Sequence, residues 1–289
     1  MPRSLRFLIL LVAASLLLQA CSAVRVGYDN ADSLVRWWLD PYLNLSPEQE
    51  ALARERLLRI HVWHRKSQLP EYVGVLRRSQ QLVAGQPTAA AVLALGNEAL
   101  RLGATLAGQA TPDVADLLAS VSPEQIERMA ARFAEKNLDY AKEAQLADAE
   151  SGQRQARFKR LLERAEYWFG DFDPEQKQLL RQMVDAQAAG SQFWYEERLR
   201  RQRDWLLLAR QIQRDRPPRE QAIRLLSDYV ARYDMPLDPA RAAQAQALRR
   251  ASAELAVAVH AMTTPTQRLH VQHKLGDLIR DFTELSQAT

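Results

Sequence analysis

The sequence predicts an all-α protein, a multi-helix bundle, and three observations support this prediction. Apolar residues recur three and four positions apart through most of the chain, while no stretch after residue 20 alternates with the period of two that a half-buried strand requires. Only 10 of the 289 residues are glycine and 47% are hydrophobic, so the chain contains few helix breakers and can bury a core. In addition, one helix-start motif occurs four times.

The repeated motif joins a capping residue to a proline and a glutamine. Its copies are Leu45-Ser46-Pro47-Glu48-Gln49, Val121-Ser122-Pro123-Glu124-Gln125, Phe172-Asp173-Pro174-Glu175-Gln176 and, more loosely, Thr263-Thr264-Pro265-Thr266-Gln267. The capping side chain accepts a hydrogen bond from an otherwise unpaired backbone N–H, and glutamine three residues later completes a capping box. Proline at the first helical position loses nothing, because its missing donor would be unpaired there. We therefore predict helices that begin after Ser46, Ser122, Asp173 and Thr264.

Each of the first three motif helices carries an apolar stripe that we expect to face the core. The stripes are Leu52, Leu57, Ile60 and Trp63; Ile126, Met129, Phe133 and Leu138; and Leu179, Leu180, Met183 and Val184. Further helices are predicted near 31–39, 71–84, 88–107, 112–119, 218–232 and 238–261. Little of the chain after residue 45 is then left outside helices.

The order of the segments suggests an internal duplication. In each half a motif helix that contains tryptophan is followed by an alanine-rich helix and then by a second motif helix. We therefore consider two similar halves, roughly 46–171 and 173–289, that pack into one helical domain over 46–289. The motif spacing is 76 residues in the first half and 91 in the second, so a chance likeness of alanine-rich helices is the alternative.

The N-terminal segment is typical of a cleaved secretion signal. Arg3 and Arg6 precede an apolar run from Phe7 to Leu18, which is much shorter than the roughly 20 residues that span a bilayer. The single cysteine of the chain follows in Leu18-Gln19-Ala20-Cys21, a sequence that resembles the lipobox of bacterial lipoproteins. The resemblance implies that residues 1–20 are removed and that Cys21 carries the acyl chains, palmitate among them. An uncleaved signal with a chance cysteine is the alternative.

Lipidation at Cys21 would anchor the mature protein firmly to a membrane, because each buried CH₂ contributes about 0.8 kcal/mol and several chains enter together. By the sorting rule of Gram-negative lipoproteins, Ser22 in place of Asp favours the outer membrane, with the protein facing the periplasm. The mature chain then begins with a tether and a short helix over 21–45. Loss of Arg3 and Arg6 lowers the formal net charge from +4 to +2, and we expect no nucleic-acid partner.

Two resemblances to known families follow from these residues. The repeated cap motif resembles the Leu-Thr-x-x-Gln signature of the Spy/CpxP-type periplasmic stress proteins, which are all-helical and bind unfolded or partner proteins. This chain departs from them in its length, its lipobox, its four motif copies and its use of Ser or Asp for Thr. From the lipobox through Tyr28-Asp29 and Trp37-Trp38 to the first motif helix, it is more similar to a family of uncharacterised proteobacterial helical lipoproteins. That likeness implies a location and a helical fold, but no activity.

The sequence contains no recognised motif for catalysis, cofactor binding or metal binding. His61 and His64 lie three residues apart, as do His270 and His273, but no glutamate stands three residues before any histidine and no His-Glu-x-x-His occurs. A Gly-x-Ser-x-Gly elbow and a glycine-rich phosphate or dinucleotide loop are absent. We therefore predict no cofactor and no metal, and we name no catalytic residue. An envelope hydrolase that uses a carboxylate pair is kept as an alternative.

Clusters of aromatic residues are the candidates for partner binding. Three clusters occur: Trp37, Trp38 and Tyr42 close to the predicted lipid anchor; Tyr167, Trp168 and Phe169 before the third motif; and the consecutive Phe193, Trp194 and Tyr195. Three consecutive residues of a helix spread over roughly 200 degrees, so they cannot all face one core stripe. The alternatives are helix packing within the bundle, a partner groove and, for the two tryptophans near the anchor, contact with the membrane interface.

A cluster of charged residues near 200 has two interpretations. Its members are Arg198, Arg200, Arg201 and Arg203, interleaved with Glu196, Glu197 and Asp204. One interpretation is a solvated or ion-paired helix face. The other is an anion-binding surface for lipid head groups or an acidic partner.

Taken together, the sequence favours a lipid-anchored envelope protein that acts by binding other envelope proteins, in a chaperone-like or adaptor role. The membrane, through acylated Cys21, and envelope proteins are then the expected partners. A purely structural scaffold is a third class, beside this one and the hydrolase.

Overall fold

The computed structural model describes residues 23–186 and 190–288, and it confirms the all-α, multi-helix class. The predicted signal and Cys21 lie outside the described residues. The helices, numbered in chain order, are α1 (Ala23–Asp29), α2 (Ala31–Leu43), α3 (Pro47–Trp63), α4 (Leu69–Ala84), α5 (Ala89–Ser120), α6 (Pro123–Glu143), α7 (Glu150–Phe169), α8 (Pro174–Ala186), α9 (Ser191–Asp215), α10 (Arg219–Tyr233), α11 (Pro239–Ala261) and α12 (Pro265–Gln287). A π-helical turn, His64–Gln68, joins α3 to α4, and the described residues contain no strand.

All four motif copies begin helices at the predicted positions. Helices α3, α6, α8 and α12 start at the motif prolines. Each capping side chain accepts a hydrogen bond from the backbone N–H of the motif glutamine. In return, the Oε1 atom of each glutamine accepts the backbone N–H of its capping residue at 2.9–3.1 Å. Every copy is therefore a complete capping box, as the sequence predicts.

The other predicted helices also form, but two of them are one helix, and the expected tryptophan of the third motif helix is wrong, because Trp194 and Trp205 lie in α9 and not in α8. The predictions near 31–39, 71–84, 218–232 and 238–261 correspond to α2, α4, α10 and α11. The predicted break between 107 and 112 is wrong, because α5 runs without interruption through Pro112. This proline removes one backbone donor from the helix interior. The helix continues because α5 packs against α4, α10 and α11.

Two residues of the predicted apolar stripes do not face the core. Leu138 is largely exposed, and so in part is Leu179. Leu138 follows Phe133 by five positions, which turns it well away from the stripe on an α-helix. The buried position beside it belongs to Asn137, which donates to the Oε1 atom of Gln202 at 2.7 Å.

The segment before the first motif forms two helices, α1 and α2, where we predict a tether with one short helix. Helix α1 lies on α12 and is held there by Arg25, whose Nε donates to Oδ1 of Asp281 at 2.8 Å. Arg25 also pairs with Glu284. Because Asp281 is buried, its pairing with Arg25 fixes α1 against the bundle.

Two hydrophobic clusters form the core. The first lies between α2, α5, α6, α9 and α10, with Ile126, Ile212 and Leu226 among its most buried side chains. The second lies between α7, α8 and α11, around Phe172 and Leu180. The first cluster combines helices from both predicted halves, so the halves share a core.

The pairing of α4 with α12 also connects the two halves. These helices pack along each other, and the Nε2 atom of Gln80 in α4 donates to the carbonyl of Gln272 in α12 at 3.1 Å. A ring nitrogen of the buried His260, in α11, lies 3.0 Å from the carbonyl of Val83 near the end of α4. Helices from opposite ends of the chain therefore meet directly.

The motif glutamines pair with each other across the bundle. Nε2 of Gln49 donates to Oε1 of Gln125 at 3.0 Å, and Nε2 of Gln125 donates to Oε1 of Gln49 at 2.7 Å. Gln176 and Gln267 exchange the same two hydrogen bonds at 2.8 and 3.0 Å. Each pair thus joins the N-termini of two motif helices, α3 with α6 and α8 with α12.

Each paired glutamine also donates to a backbone carbonyl in the loop before the partner helix. The acceptors are Ser120 for Gln49, Asn44 for Gln125, Met262 for Gln176 and Asp171 for Gln267. In every case the acceptor stands two residues before the capping residue of the partner motif. The amide of each glutamine therefore makes two donor and two acceptor contacts, which is its full capacity.

These four equivalent glutamines are what the duplication hypothesis expects at the motif sites. The chain also turns in a similar way before the first and third motifs, where Asn44 and Gly170 adopt positive φ angles of 47° and 80°. The division into halves 46–171 and 173–289 stays a prediction.

Replacing Gln176 with alanine should lower the free energy of unfolding by about 2–3 kcal/mol. The substitution leaves the backbone N–H of Asp173 and the carbonyl of Met262 without the Gln176 side chain, and it removes two of the four contacts of the Gln267 amide at a buried site. Urea unfolding followed by circular dichroism measures the change.

The matched control is Gln221→Ala in α10, which removes an exposed glutamine outside any motif. We expect that change to stay within about 0.5 kcal/mol. Equal losses in the two variants would show that the buried amide pair adds nothing to stability.

Candidate functional site

An exposed apolar surface on α2 is the leading candidate for a binding site. Leu34, Trp37 and Trp38 are 50%, 76% and 56% exposed. Their spacing of three and four residues places them together on one side of the helix. We name these three residues the tryptophan face. A contiguous apolar patch of this kind, uncovered on a helix that otherwise packs into the bundle, is typical of an interaction site.

The other residues of α2 that are not exposed fix the helix in the bundle. Leu43 is buried, and Leu39 and Tyr42 pack against the first core cluster. The ring of Tyr42 lies 5.7 Å from that of Phe133 in α6 and 5.0 Å from that of Trp38. The tryptophan face is therefore presented by a helix whose position is set by core packing.

The charges of α2 are more acidic than basic. The helix contains Asp32 and Asp40 but a single basic residue, Arg36. Arg36 pairs with Glu50 of α3 at 3.0 Å and lies 3.5 Å from Asp32, so its positive charge is compensated. Asp40 is exposed. The helix that carries the tryptophan face therefore bears a net negative charge.

The consecutive aromatic residues of α9 lie within the bundle. Phe193 is only 4% exposed. Tyr195 is half-buried and stacks on Tyr140 of α6, with ring centroids 5.7 Å apart and planes inclined by 8°. Trp194 is half-buried and borders a cavity. Of these two aromatic clusters, the one on α2 faces outward, and in the third cluster Tyr167 is exposed but lies against Trp168 and Lys274.

The charged cluster near 200 is largely ion-paired. Arg200 pairs with Glu197 at 2.8 Å and with Asp204 at 3.0 Å, and Arg203 lies 3.8 Å from Asp204. Glu197 is fully buried and also accepts a hydrogen bond from Arg241 at 2.9 Å. Burial raises the pKa of Glu197, but the hydrogen bonds and charges of Arg200 and Arg241 outweigh it and hold that pKa below its ordinary value. These contacts match the ion-paired interpretation.

The buried carboxylates share this arrangement. Asp113, Glu197 and Asp281 are buried, and each faces an arginine. The oxygens of these carboxylates are occupied by guanidinium groups, and Arg59, Arg241 and Arg25 reach them from other helices. These three acids therefore act as structural groups that tie helices together.

The π-helical turn between α3 and α4 has a local cause. Pro70 lacks the N–H that would bond to the carbonyl of Lys66, and its ring crowds the preceding turn. In the wider turn His64–Gln68, the N–H of Leu69 bonds to the carbonyl of His64, five residues back. The long helix from the first motif continues past the proline in this way, and such turns are frequent at functional sites.

A cluster of histidine and tyrosine side chains surrounds this turn. Nδ1 of His64 shares a 2.9 Å hydrogen bond with the hydroxyl of Tyr28 in α1, and its Nε2 lies 3.4 Å from the hydroxyl of Tyr72. The ring of His61 packs on Tyr28 with centroids 4.5 Å apart. Burial lowers the pKa of His61 and of His64, with nearby Arg65 adding to the effect at His61, and burial raises the pKa of Tyr28 to about 12. The cluster is therefore uncharged at neutral pH.

The described residues hold no group of three or more His, Cys, Asp or Glu side chains that is placed to bind a metal ion. Within the same ranges, no helix combines the length and the apolar character needed to cross a membrane.

Sequence reasoning missed two parts of these sites. Leu34 belongs to the tryptophan face, and its spacing from Trp37 and Trp38 was the signal that could have identified it. The contact between Tyr28 and His64 joins residues 36 positions apart, on separate helices. No local pattern indicates that contact, because it depends on how α1 packs.

Comparison with known proteins places most of the chain in a family. A model described as a family of unknown function, DUF6279, matches residues 41–231. No curated protein and no solved structure matches. The matched range contains three of the four motif copies, and the tryptophan face lies just before it.

The free energy of unfolding should fall as the pH is lowered from about 7.5 to about 5.5. The folded state holds His61 and His64 with lowered pKa values, so the unfolded chain binds more protons in this window. The stability that the neutral histidines contribute is present above their unfolded pKa of about 6.5 and is lost as the pH falls toward their folded pKa. Urea unfolding at several pH values measures how the free energy of unfolding changes with pH.

The variant His64→Gln should flatten this pH dependence. His270→Gln is the matched control, since His270 is exposed on α12, and it should leave the slope unchanged. If the free energy of unfolding changed equally with pH in both variants, the cluster around Tyr28 would not disfavour the protonated imidazole of His64.

Proposed function

We propose, on the premise that the chain belongs to DUF6279, a family of unknown function, that it is a lipid-anchored protein of the outer membrane that binds another envelope protein through the tryptophan face. The observation that carries the proposal is the exposure of Leu34, Trp37 and Trp38 on a helix that is otherwise fixed in the bundle. The role is that of an adaptor, which presents one rigid surface to a partner.

The sequence before the described residues supports the anchor. The basic n-region, the short apolar run and Leu18-Gln19-Ala20-Cys21 together form a lipoprotein signal. Helix α1 begins at Ala23, two residues after the proposed acylated cysteine. The tryptophan face would then lie close to the membrane surface, where a partner embedded in the membrane or lying on it is within reach.

The charge of α2 favours a protein over the lipid bilayer as the occupant of the tryptophan face. Helices that lie in the membrane interface are typically rich in Lys and Arg on their polar side. Helix α2 has Asp32 and Asp40 against Arg36 alone, and Arg36 is ion-paired. A surface of anionic lipids would repel this helix rather than attract it.

The partner is expected to offer an apolar groove with a basic rim. Side chains spaced three and four residues apart on one side of a helix are the anchors of helix-in-groove recognition. Tryptophan is among the residues that contribute most binding energy at protein interfaces. A basic rim would complement exposed Asp40.

The hydrolase alternative finds no support in the buried acids, because Asp113, Glu197 and Asp281 are each ion-paired with arginine. A general chaperone and a structural scaffold differ from an adaptor in what they capture. A crosslinking experiment therefore distinguishes those two roles from that of an adaptor.

A photo-crosslinking amino acid in place of Trp37, in the lipidated protein in intact cells, should capture predominantly one envelope protein. The same amino acid in place of Leu237, an exposed residue in the loop between α10 and α11, is the matched control and should not capture that protein. Mass spectrometry of the crosslinked species identifies the partner.

The other outcomes of this experiment are also informative. Many unrelated envelope proteins captured at Trp37 would indicate a general chaperone. Crosslinks to lipid alone would show that the tryptophan face contacts the membrane, which contradicts the proposed partner. Capture of the same proteins from both positions would mean that the tryptophan face has no special role.

The anchor has its own test in Cys21→Ser. We expect the wild type to incorporate radiolabelled palmitate and to sediment with outer-membrane vesicles. The variant should incorporate none, because the thiol that carries the lipid is missing. Its soluble fraction should fold normally, since Cys21 contributes none of the described contacts that hold the helices together. Labelling that persists in the variant would contradict lipidation at this residue.

A further inference from the structure

An open cavity of about 290 Å³ lies between α6, α7, α9 and α11, and it contains no part of the tryptophan face. Three arginines of α7 line it, Arg157, Arg160 and Arg164. Spacings of three and four residues place them on one side of that helix. We name these three residues the arginine triad. The remaining wall is partly apolar, with Leu161, Trp194 and Leu248, and none of the described residues that line it is acidic.

Arg157 is a positive charge without a partner among the described residues. Its side chain makes no hydrogen bond or ion pair there, and its Nη1 atom is buried and unsatisfied. Burial, and then repulsion from Arg154, lowers the pKa of Arg157. An arginine in this position has lost hydrogen bonds to water, and the protein supplies none in exchange. The binding of an anion beside it is therefore favourable.

The acids that act on Arg157 are already engaged elsewhere. Glu150 and Asp185 are the carboxylates whose charges act on Arg157. Both pair with Arg154, at 2.7 and 3.7 Å, and Arg154 does not line the cavity. The positive charge of the triad is therefore not neutralised within the cavity.

The edge of the cavity is fixed in place. Arg160 donates to the carbonyl of Glu143 at 3.2 Å and to the hydroxyl of Ser191 at 3.4 Å. Ser191 begins α9 and is buried. A guanidinium held on two sides loses less conformational freedom when it binds a ligand.

We propose that this cavity binds a phosphate monoester whose organic part is small. A phosphate monoester carries up to two negative charges and three acceptor oxygens, which suits three guanidinium groups better than a carboxylate with one charge and two oxygens. Leu161, Trp194 and Leu248 line the space for the carbon skeleton. The ligand is either a free metabolite ester or the exposed phosphate of a lipid head group, since both present the same chemistry.

The test is isothermal titration calorimetry of the mature protein, with Cys21→Ser, against glycerol 3-phosphate. The wild type should bind it, while glycerol should not bind. The variants Arg164→Gln and Arg157→Gln should each weaken binding by about tenfold or more, because each loses one charge-assisted contact. Arg164 is exposed, so its variant should fold even if the variant at Arg157 does not.

Arg203→Gln is the matched control, since it removes the same charge from an exposed arginine of α9 outside the cavity. Its affinity should equal that of the wild type. Equal weakening by Arg203→Gln and Arg164→Gln, or no binding of glycerol 3-phosphate at millimolar concentration, would overturn the proposal. Acetate or succinate that binds as tightly as the phosphate ester would overturn it as well.

Vesicles separate the two sources of the phosphate group. If the natural ligand is a lipid, phosphatidylcholine vesicles that contain phosphatidic acid should bind more of the wild-type protein than of the Arg164→Gln variant. Binding of glycerol 3-phosphate without such a difference on vesicles assigns the site to a free ester. Either result supports the phosphate site and is independent of any partner at the tryptophan face.

Discussion

The reciprocal hydrogen bonds between motif glutamines are the constraint on which the bundle depends. Each glutamine closes the capping box of its own helix and at the same time reaches the loop before the partner helix. A helix N-terminus normally leaves backbone donors to be satisfied by local groups or by water. Here each helix start satisfies its own donors through the capping box, and the two capping-box glutamines also pair with each other, so the position of one helix start constrains the other. The same arrangement occurs with Gln49 and Gln125 and with Gln176 and Gln267.

These pairs also set the surfaces from which function is proposed. Gln125 donates to the carbonyl of Asn44, the residue that ends α2, so the first pair helps to orient the helix with the tryptophan face. Gln267 donates to the carbonyl of Asp171, just after the end of α7, the helix with the arginine triad. The two surfaces thus belong to helices that each directly precede a motif. Their chemistry differs, since one presents tryptophan and the other arginine.

Much of the fold followed from local chemistry, and the contacts that join distant segments did not. The proline of each motif, with the capping residue before it and glutamine two positions after it, identifies four helix starts because capping is a short-range interaction. The pairing of Gln49 with Gln125 could not be predicted, because a glutamine that closes a capping box looks the same with or without a partner. The break expected before Pro112 failed because packing of α5 outweighed the local cost of proline. At the site, Trp37 and Trp38 were identified, whereas Leu34 and the arginine triad depend on which helix sides remain uncovered.

The most direct test of this account is a double-mutant cycle on Gln176 and Gln267, measured by urea unfolding. The account predicts a coupling free energy of about 1 kcal/mol or more, because each alanine removes hydrogen bonds that the other glutamine shares. The same cycle on Gln176 and Gln49, which are not paired with each other, should give a coupling within about 0.5 kcal/mol of zero. A coupling near zero for the Gln176 and Gln267 pair would contradict the claim that the two helix starts hold each other in place.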